Sequence, residues 1–187
     1  MKKKNFTLEL YKTKNTVFTA KEISLLLRES NKDVLKSKIN YYVNKGIIRQ
    51  VRRGIYVKHK YDKFELAAKI YIPSYISLET VLQKEGVIFQ HYEKIFVVSY
   101  LSRLIIVDGY SIRFRKIKNE TLYNSSGINM NETYAIATKE RAFLDSLYLY
   151  HKYHFDNLDV LDKEKVFELV SVYNNKQLLK RVKKIFE

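Results

Sequence analysis

The sequence predicts an α+β protein in two parts, and three observations predict it. Residues 5–60 read helix, helix, helix, hairpin, with capping residues before the second and third helices and Gly54 at the hairpin turn. Asp108-Gly109 stands between two apolar runs, a strong two-residue hairpin signal. Residues 162–173 and 175–186 carry apolar stripes at helical spacing. The expected architecture is an N-terminal winged helix-turn-helix over residues 1–60. A mixed α/β domain over 61–187 follows, with a small, mainly antiparallel sheet and C-terminal helices.

Each element of the first part has a local cause. Phe6, Leu8, Leu10 and Tyr11 mark a helix over residues 5–13. Thr19-Ala20-Lys21-Glu22 is a capping box, in which hydroxyl and carboxylate satisfy each other's orphan N–H groups. It opens a helix with Ile23, Leu26 and Leu27 on one face. Ser30-Asn31-Lys32-Asp33 opens the next helix, which runs to Lys45, and Gly46 takes the left-handed position after it. The runs Ile47–Val51 and Ile55–Lys58 flank Arg52-Arg53-Gly54 as a hairpin.

On the helix from Lys32 to Lys45, Leu35, Ile39, Tyr42 and Val43 form the core stripe. Asp33, Ser37, Asn40, Tyr41 and Asn44 face the other way, with Lys36, Lys38 and Lys45 on the flanks. Amides and hydroxyls on a helix centre line can pair with base edges, and flanking lysines can reach phosphates. Asp33 would repel phosphate, and its first-turn place gives it a capping role instead. The same face would also serve as an ordinary solvated surface. Arg49, Arg52 and Arg53 cluster in a chain with 9 Arg against 26 Lys, which favours a minor-groove or phosphate contact over simple edge protection. The candidate DNA-binding residues are therefore Lys32, Lys36, Ser37, Asn40, Tyr41 and Asn44 on the helix and Arg49, Arg52 and Arg53 on the hairpin.

The second part begins with a helix over Asp62–Tyr71 and another over Ser77–Glu85, capped by Ser77. Strands are expected at Lys94–Leu101, Arg103–Asp108, Tyr110–Lys118 and Thr133–Ala137, with Thr138 capping a helix to Tyr150. Arg113 and Arg115 give the third strand a basic face, which could meet an acidic partner, RNA or solvent. The C-terminal stripes (Val166, Leu169, Val170, Tyr173; Leu178, Leu179, Val182, Ile185, Phe186) can pack on the sheet or form a partner groove. Glu140, Arg141 and Asp145 read as structural, with Arg141 and Asp145 paired one turn apart at the domain junction.

Composition narrows the function. Hydrophobic residues make up 46% of 187, too many for a disordered polycation. The formal net charge is +15, and residues 1–60 hold 16 Lys/Arg against 4 Asp/Glu. A bias from a genome poor in G and C would spread over the whole chain, so a polyanion partner for the first part is the simpler cause. With no Cys, disulfides and thiolate metal sites are excluded. Glu9, Lys12 and Lys14 break any signal-peptide core, and no apolar run is long enough to span a membrane, so a cytoplasmic location is expected. No Asp/Glu-x-Lys, Asp-x-Asp, glycine-rich phosphate loop or Gly-x-Ser-x-Gly elbow is present, so no enzyme and no cofactor is expected. His151 and His154 could offer two metal ligands but read better as a solvated helix end.

Three segments resemble one family. Gly46–Val57 ends in the basic, Gly, apolar, Tyr pattern of Arg52-Arg53-Gly54-Ile55-Tyr56. Tyr75-Ile-Ser-Leu-Glu-Thr-Val-Leu-Gln-Lys-Glu-Gly86 and Ala135-Ile-Ala-Thr-Lys-Glu-Arg-Ala-Phe-Leu-Asp-Ser-Leu-Tyr148 follow in order. Together they resemble the AbiEi-type antitoxins of abortive-infection (type IV) toxin–antitoxin systems over residues 15–150. Lys139 stands where that family often has Pro, and the tail after residue 151 is not diagnostic. The resemblance implies a repressor whose winged helix binds repeats in its own promoter; by the geometry of such a helix, two copies are expected on an inverted repeat of double-stranded DNA. It also implies a second domain that counters a nucleotidyltransferase-like toxin. The alternative is a winged-helix regulator whose second domain senses a small ligand or binds RNA.

Overall fold

A computed structural model describes residues 6–150 and 152–186. The fold is α+β, and the chain divides into two compact units, Met1–Ile70 and Tyr71–Glu187.

The first unit runs α1 (Phe6–Lys12), β1 (Val17–Thr19), α2 (Ala20–Leu27), α3 (Lys32–Asn44), β2 (Arg49–Arg52), β3 (Ile55–Val57) and α4 (Lys63–Ile70). Its three-stranded antiparallel sheet has the order β1-β3-β2. β1 was not expected from sequence: three residues running straight into a helix cap are too few to display alternation. Val17, Phe18 and Thr19 nevertheless pair with Val57, Tyr56 and Ile55. A bulge between Gln50 and Arg52 bends the outer strand of the hairpin.

The capping box forms as read: the Glu22 N–H donates to Thr19 Oγ1 at 3.2 Å, and the Thr19 N–H donates to Glu22 Oε2 at 2.6 Å. Asn31 caps α3 by accepting from the Asp33 and Val34 N–H groups. Phe6, Leu10, Phe18, Ile23, Ile39, Ile48 and Tyr56 build the core, with Leu35, Tyr42 and Val43 packed against it. Each such buried side chain contributes roughly 1.5–3 kcal/mol.

The helix expected at Asp62–Tyr71 is α4, and it belongs to this unit. Buried Glu65 accepts from the Thr16 N–H (2.9 Å) and hydroxyl (2.6 Å). The Lys69 ammonium reaches Val17 O at 2.6 Å, Glu22 Oε1 at 2.8 Å and Glu65 Oε1 at 3.0 Å. These side chains tie α4 to β1 and α2.

The second unit contains β4 (Ser74–Ile76), α5 (Glu79–Lys84), β5 (Ile95–Ser99), β6 (Arg103–Val107), β7 (Tyr110–Lys116), α6 (Asn119–Tyr123), β8 (Ile128–Asn131), β9 (Tyr134–Ala137), α7 (Lys139–Leu149), α8 (Lys163–Leu169) and α9 (Lys176–Phe186). The strands make one sheet of order β6-β7-β5-β4-β9-β8. β5–β7 and β4–β9 are parallel and the other pairings antiparallel, so the sheet is larger and more mixed than expected. Asp108 (φ 51°) and Gly109 (φ 83°) form the expected turn between β6 and β7.

Ser77 is not a helix cap. α5 begins two residues later, and the Ser77 hydroxyl donates to Asp145 Oδ2 at 2.7 Å. α7 is buried from Glu140 to Leu147, with α8 and α9 packed on it.

Candidate nucleic-acid interface

The outward face of α3 is assembled from the N-cap onward. α2 ends at Arg28 in the left-handed region, and the four-residue turn Arg28–Asn31 leads into α3. At about 1.5 Å per residue the 13 residues of α3 span roughly 20 Å. Ile39 anchors its inner side.

Lys32, Lys36, Ser37, Asn40, Tyr41 and Asn44 are all exposed, as are Arg49 and Arg53; Arg52 is half-buried. The structure thus brings the helix residues onto one exposed surface. Arg49, Arg52 and Arg53 gather on the hairpin of the same unit, with Gly54 (φ 78°) making the turn. A left-handed turn of this kind favours glycine over any side chain.

Two lysines on the flank differ from the simple reading. Lys38 is held in an ion pair to Glu29 at 2.6 Å, so its charge is partly answered inside the unit. Lys45 lies 5.9 Å from the ring centre of Tyr41, which places cation and aromatic face together at the C-terminal end of α3. Sequence reasoning also missed Val34. It is exposed and shares the stripe of Ser37 and Tyr41, three and seven residues on. With Asp33, Ser37, Lys38, Tyr41 and Tyr42 it lines a shallow depression of about 470 Å³. A branched apolar side chain beside the hydroxyls of Ser37 and Tyr41 suits a thymine methyl group. The helical spacing carried that signal, which a search for polar residues passes over.

Two acids of this unit, Glu22 and Glu29, are held by partners within it. The Lys38 ammonium and the Asn31 N–H hold the Glu29 carboxyl below its ordinary pKa. Burial opposes ionisation of Glu22, but Lys69 and Thr19 outweigh it and keep its pKa low. Asp33 lies in the first turn of α3, where the helix dipole favours a negative charge. Apart from Asp33, the charged residues exposed on α3 and its C-cap are the lysines Lys32, Lys36 and Lys45.

The other candidates fall elsewhere. Arg141 and Asp145, expected at a domain junction, are fully buried, and the partners that hold them belong to the second unit. The Arg141 guanidinium donates to Thr121 O at 2.7 Å and Ser126 O at 2.8 Å, and its Nε stands 3.5 Å from Asp145 Oδ1. Tyr173 and Tyr75 donate hydroxyl hydrogen bonds to the same carboxylate oxygen at 2.6 and 3.2 Å. Gly127 fits against this cluster because a Cβ there would come within 2.9 Å of Arg141 Cβ. Burial pushes the Asp145 pKa up, while Arg141 and the three hydroxyls pull it back.

On the basic strand, the Arg115 guanidinium lies 4.5 Å from the Tyr150 ring centre. Burial raises the pKa of nearby Glu79, while a hydrogen bond with Tyr150 and the charges of Arg115 and Arg113 pull it back. Burial and Glu79 in turn push the Tyr150 hydroxyl up to about 12. Part of that basic face therefore balances a buried carboxylate.

His151 lies outside the described residues. The His154 side chain is 88% exposed, and its Nε2 is 3.6 Å from Asp156 Oδ1. Among the described residues no group of three metal-ligating side chains occurs, and no helix is long and apolar enough to cross a membrane. No family model matches the chain, and no curated protein matches it.

Proposed function

We propose that the chain is a DNA-binding transcriptional repressor whose first unit is a winged helix-turn-helix. The observation that carries this reading is the exposed face of α3, where Ser37, Asn40 and Asn44 stand between cations in the strongly basic unit. The order α1-β1-α2-α3-β2-β3 and the four-residue turn before α3 support it. In this mechanism α3 enters a major groove about 12 Å wide, which admits one helix. Lys32 and Lys36 meet phosphate, and Arg49, Arg52 and Arg53 clamp the neighbouring backbone or enter the minor groove. A gel shift with the DNA upstream of the chain's own gene tests this. Retardation at low salt is expected, and its absence would sink the reading.

The antitoxin role rests on the resemblance to the AbiEi-type antitoxins alone. In that role the repressor controls its own operon and counters a nucleotidyltransferase-like toxin encoded beside it. Co-expression with the adjacent gene tests it: growth arrested by the neighbour should be restored by this chain.

A second reading, a regulator that senses a small anionic ligand, is favoured by one concavity in the second unit. About 590 Å³ in volume, it brings Lys152, His154, Arg181 and Lys184 around Leu147, Tyr153 and Ile185. A rise in thermal stability with added nucleotides, and no neighbouring toxin gene, would support this reading over the antitoxin.

A further inference from the structure

The two edges of the second unit's sheet are unlike. β8, at one end, is Ile-Asn-Met-Asn, with polar residues at two of four positions. β6, at the other, is Arg-Leu-Ile-Ile-Val, and its only charge is at the first residue. Leu104 is 49% and Ile106 75% exposed, and both lie on the same face of the strand. β6 pairs with β7 over five consecutive residues with no bulge. Natural edge strands are usually protected from pairing by lysine, proline, a bulge or inward charge. β6 has none of these along its apolar stretch.

We propose that β6 is the homodimer interface, pairing antiparallel with β6 of a second copy about a two-fold axis at Ile105. The sequence fits itself in that register. Ile105 opposes its own copy, Leu104 opposes Ile106 twice, and Arg103 opposes Val107 twice. The two exposed apolar pairs then stack on one face, which is the contact that stabilises an antiparallel ladder. The charges also agree: the two Arg103 side chains lie at opposite ends of the ladder. Each lies beside the turn that carries the other copy's exposed Asp108. An isologous contact of this kind closes after two copies and leaves no free apolar edge. It would supply the two-fold axis that an inverted repeat requires. The pairing itself involves no DNA.

The full chain without DNA tests it by sedimentation up to about 100 μM, where micromolar association is complete. A dimer is expected. Ile106→Lys should weaken it at least ten-fold, while Met130→Lys on the β8 edge (70% exposed) should leave it unchanged. Because the chain has no cysteine, single substitutions read the register directly. Ile105→Cys places two sulfur-bearing residues opposite each other, with Cα atoms about 5 Å apart and within disulfide reach. Ile106→Cys leaves its copies about 8 Å apart, too far to bridge. Oxidation should cross-link the first variant and spare the second. A wild-type monomer at every concentration, or equal cross-linking at both positions, would overturn the pairing. Binding to a single half-site is measured separately. A monomer that still binds the half-site removes the pairing and keeps the DNA reading, and a dimer that binds no DNA does the reverse.

Discussion

Two arginine settings, one in each unit, are opposites. On the first unit, Arg49 and Arg53 are exposed on and beside the hairpin, while Glu22 and buried Glu65 are engaged by Lys69. In the second, Arg141 is fully buried, bound to two backbone carbonyls and set against Asp145. An exposed guanidinium is hydrated and can exchange water for phosphate. A buried one has lost its water and must keep its protein partners. Sequence shows the same residue type in both places. What separates them is the helix that carries Arg141, since nearly every residue of α7 faces packing. A basic count therefore measures binding capacity only for the cations that burial leaves outside.

The largest effect should come from breaking the buried side of this contrast. Arg141→Leu leaves Asp145 buried without its cation, which costs about 3–5 kcal/mol. Urea denaturation of the full chain would show it as a lower midpoint. Arg141→Lys should recover little, because a point charge cannot serve Thr121 O, Ser126 O and Asp145 together. If the variant denatures within about 1 kcal/mol of wild type, the cluster is not what holds α6, α7 and the loop before β8 together.

The exposed side should respond in binding and not in folding. Arg52→Ala with Arg53→Ala should weaken binding to all DNA sequences and lower the salt slope by about two. The urea midpoint should move little, because Arg53 is exposed and Arg52 half-buried. Fluorescence anisotropy across a salt series checks this, and an unchanged slope would remove the hairpin from the interface. Asn40→Ala should do something different. It should cost about 1–3 kcal/mol on the preferred site and little on others, so sequence preference relaxes. A uniform loss across sequences would assign Asn40 to the backbone instead.

Much of the first unit was legible because its signals are local. Thr19 and Glu22 are three residues apart, Gly46 and Gly54 sit at turns, and the core stripe of α3 repeats every turn. β1 was hidden because its partner, β3, is nearly forty residues away in sequence. The second unit was less readable for the same reason. Ser77 has the spacing of a helix cap, yet its hydroxyl goes to Asp145, 68 positions on. β4 and β8 are short, and only the parallel pairing of β4 with β9 gives β4 its inner place in the sheet. In the candidate site, residue types and their common face could be read, but the Lys38–Glu29 pair and the exposure of Val34 needed the fold.

The smallest expected effect concerns the join between the capping box and α4. Glu22 is held below its ordinary pKa, because Lys69 and Thr19 outweigh the burial that opposes its charge. A carboxyl depressed on folding adds stability above its unfolded pKa, near 4.3, and loses it as pH falls through the lower folded value. The wild-type chain should therefore lose part of its stability on acidification below about pH 4.5. Glu22→Gln keeps the shape of the cap but removes this titration, so its melting temperature should fall less steeply over that window. Thermal melts from pH 6 to 3, compared between the two chains, isolate the contribution. Identical slopes would mean that Lys69 is satisfied by Glu65 and Val17 O alone, and that Glu22 serves only the Thr19 cap.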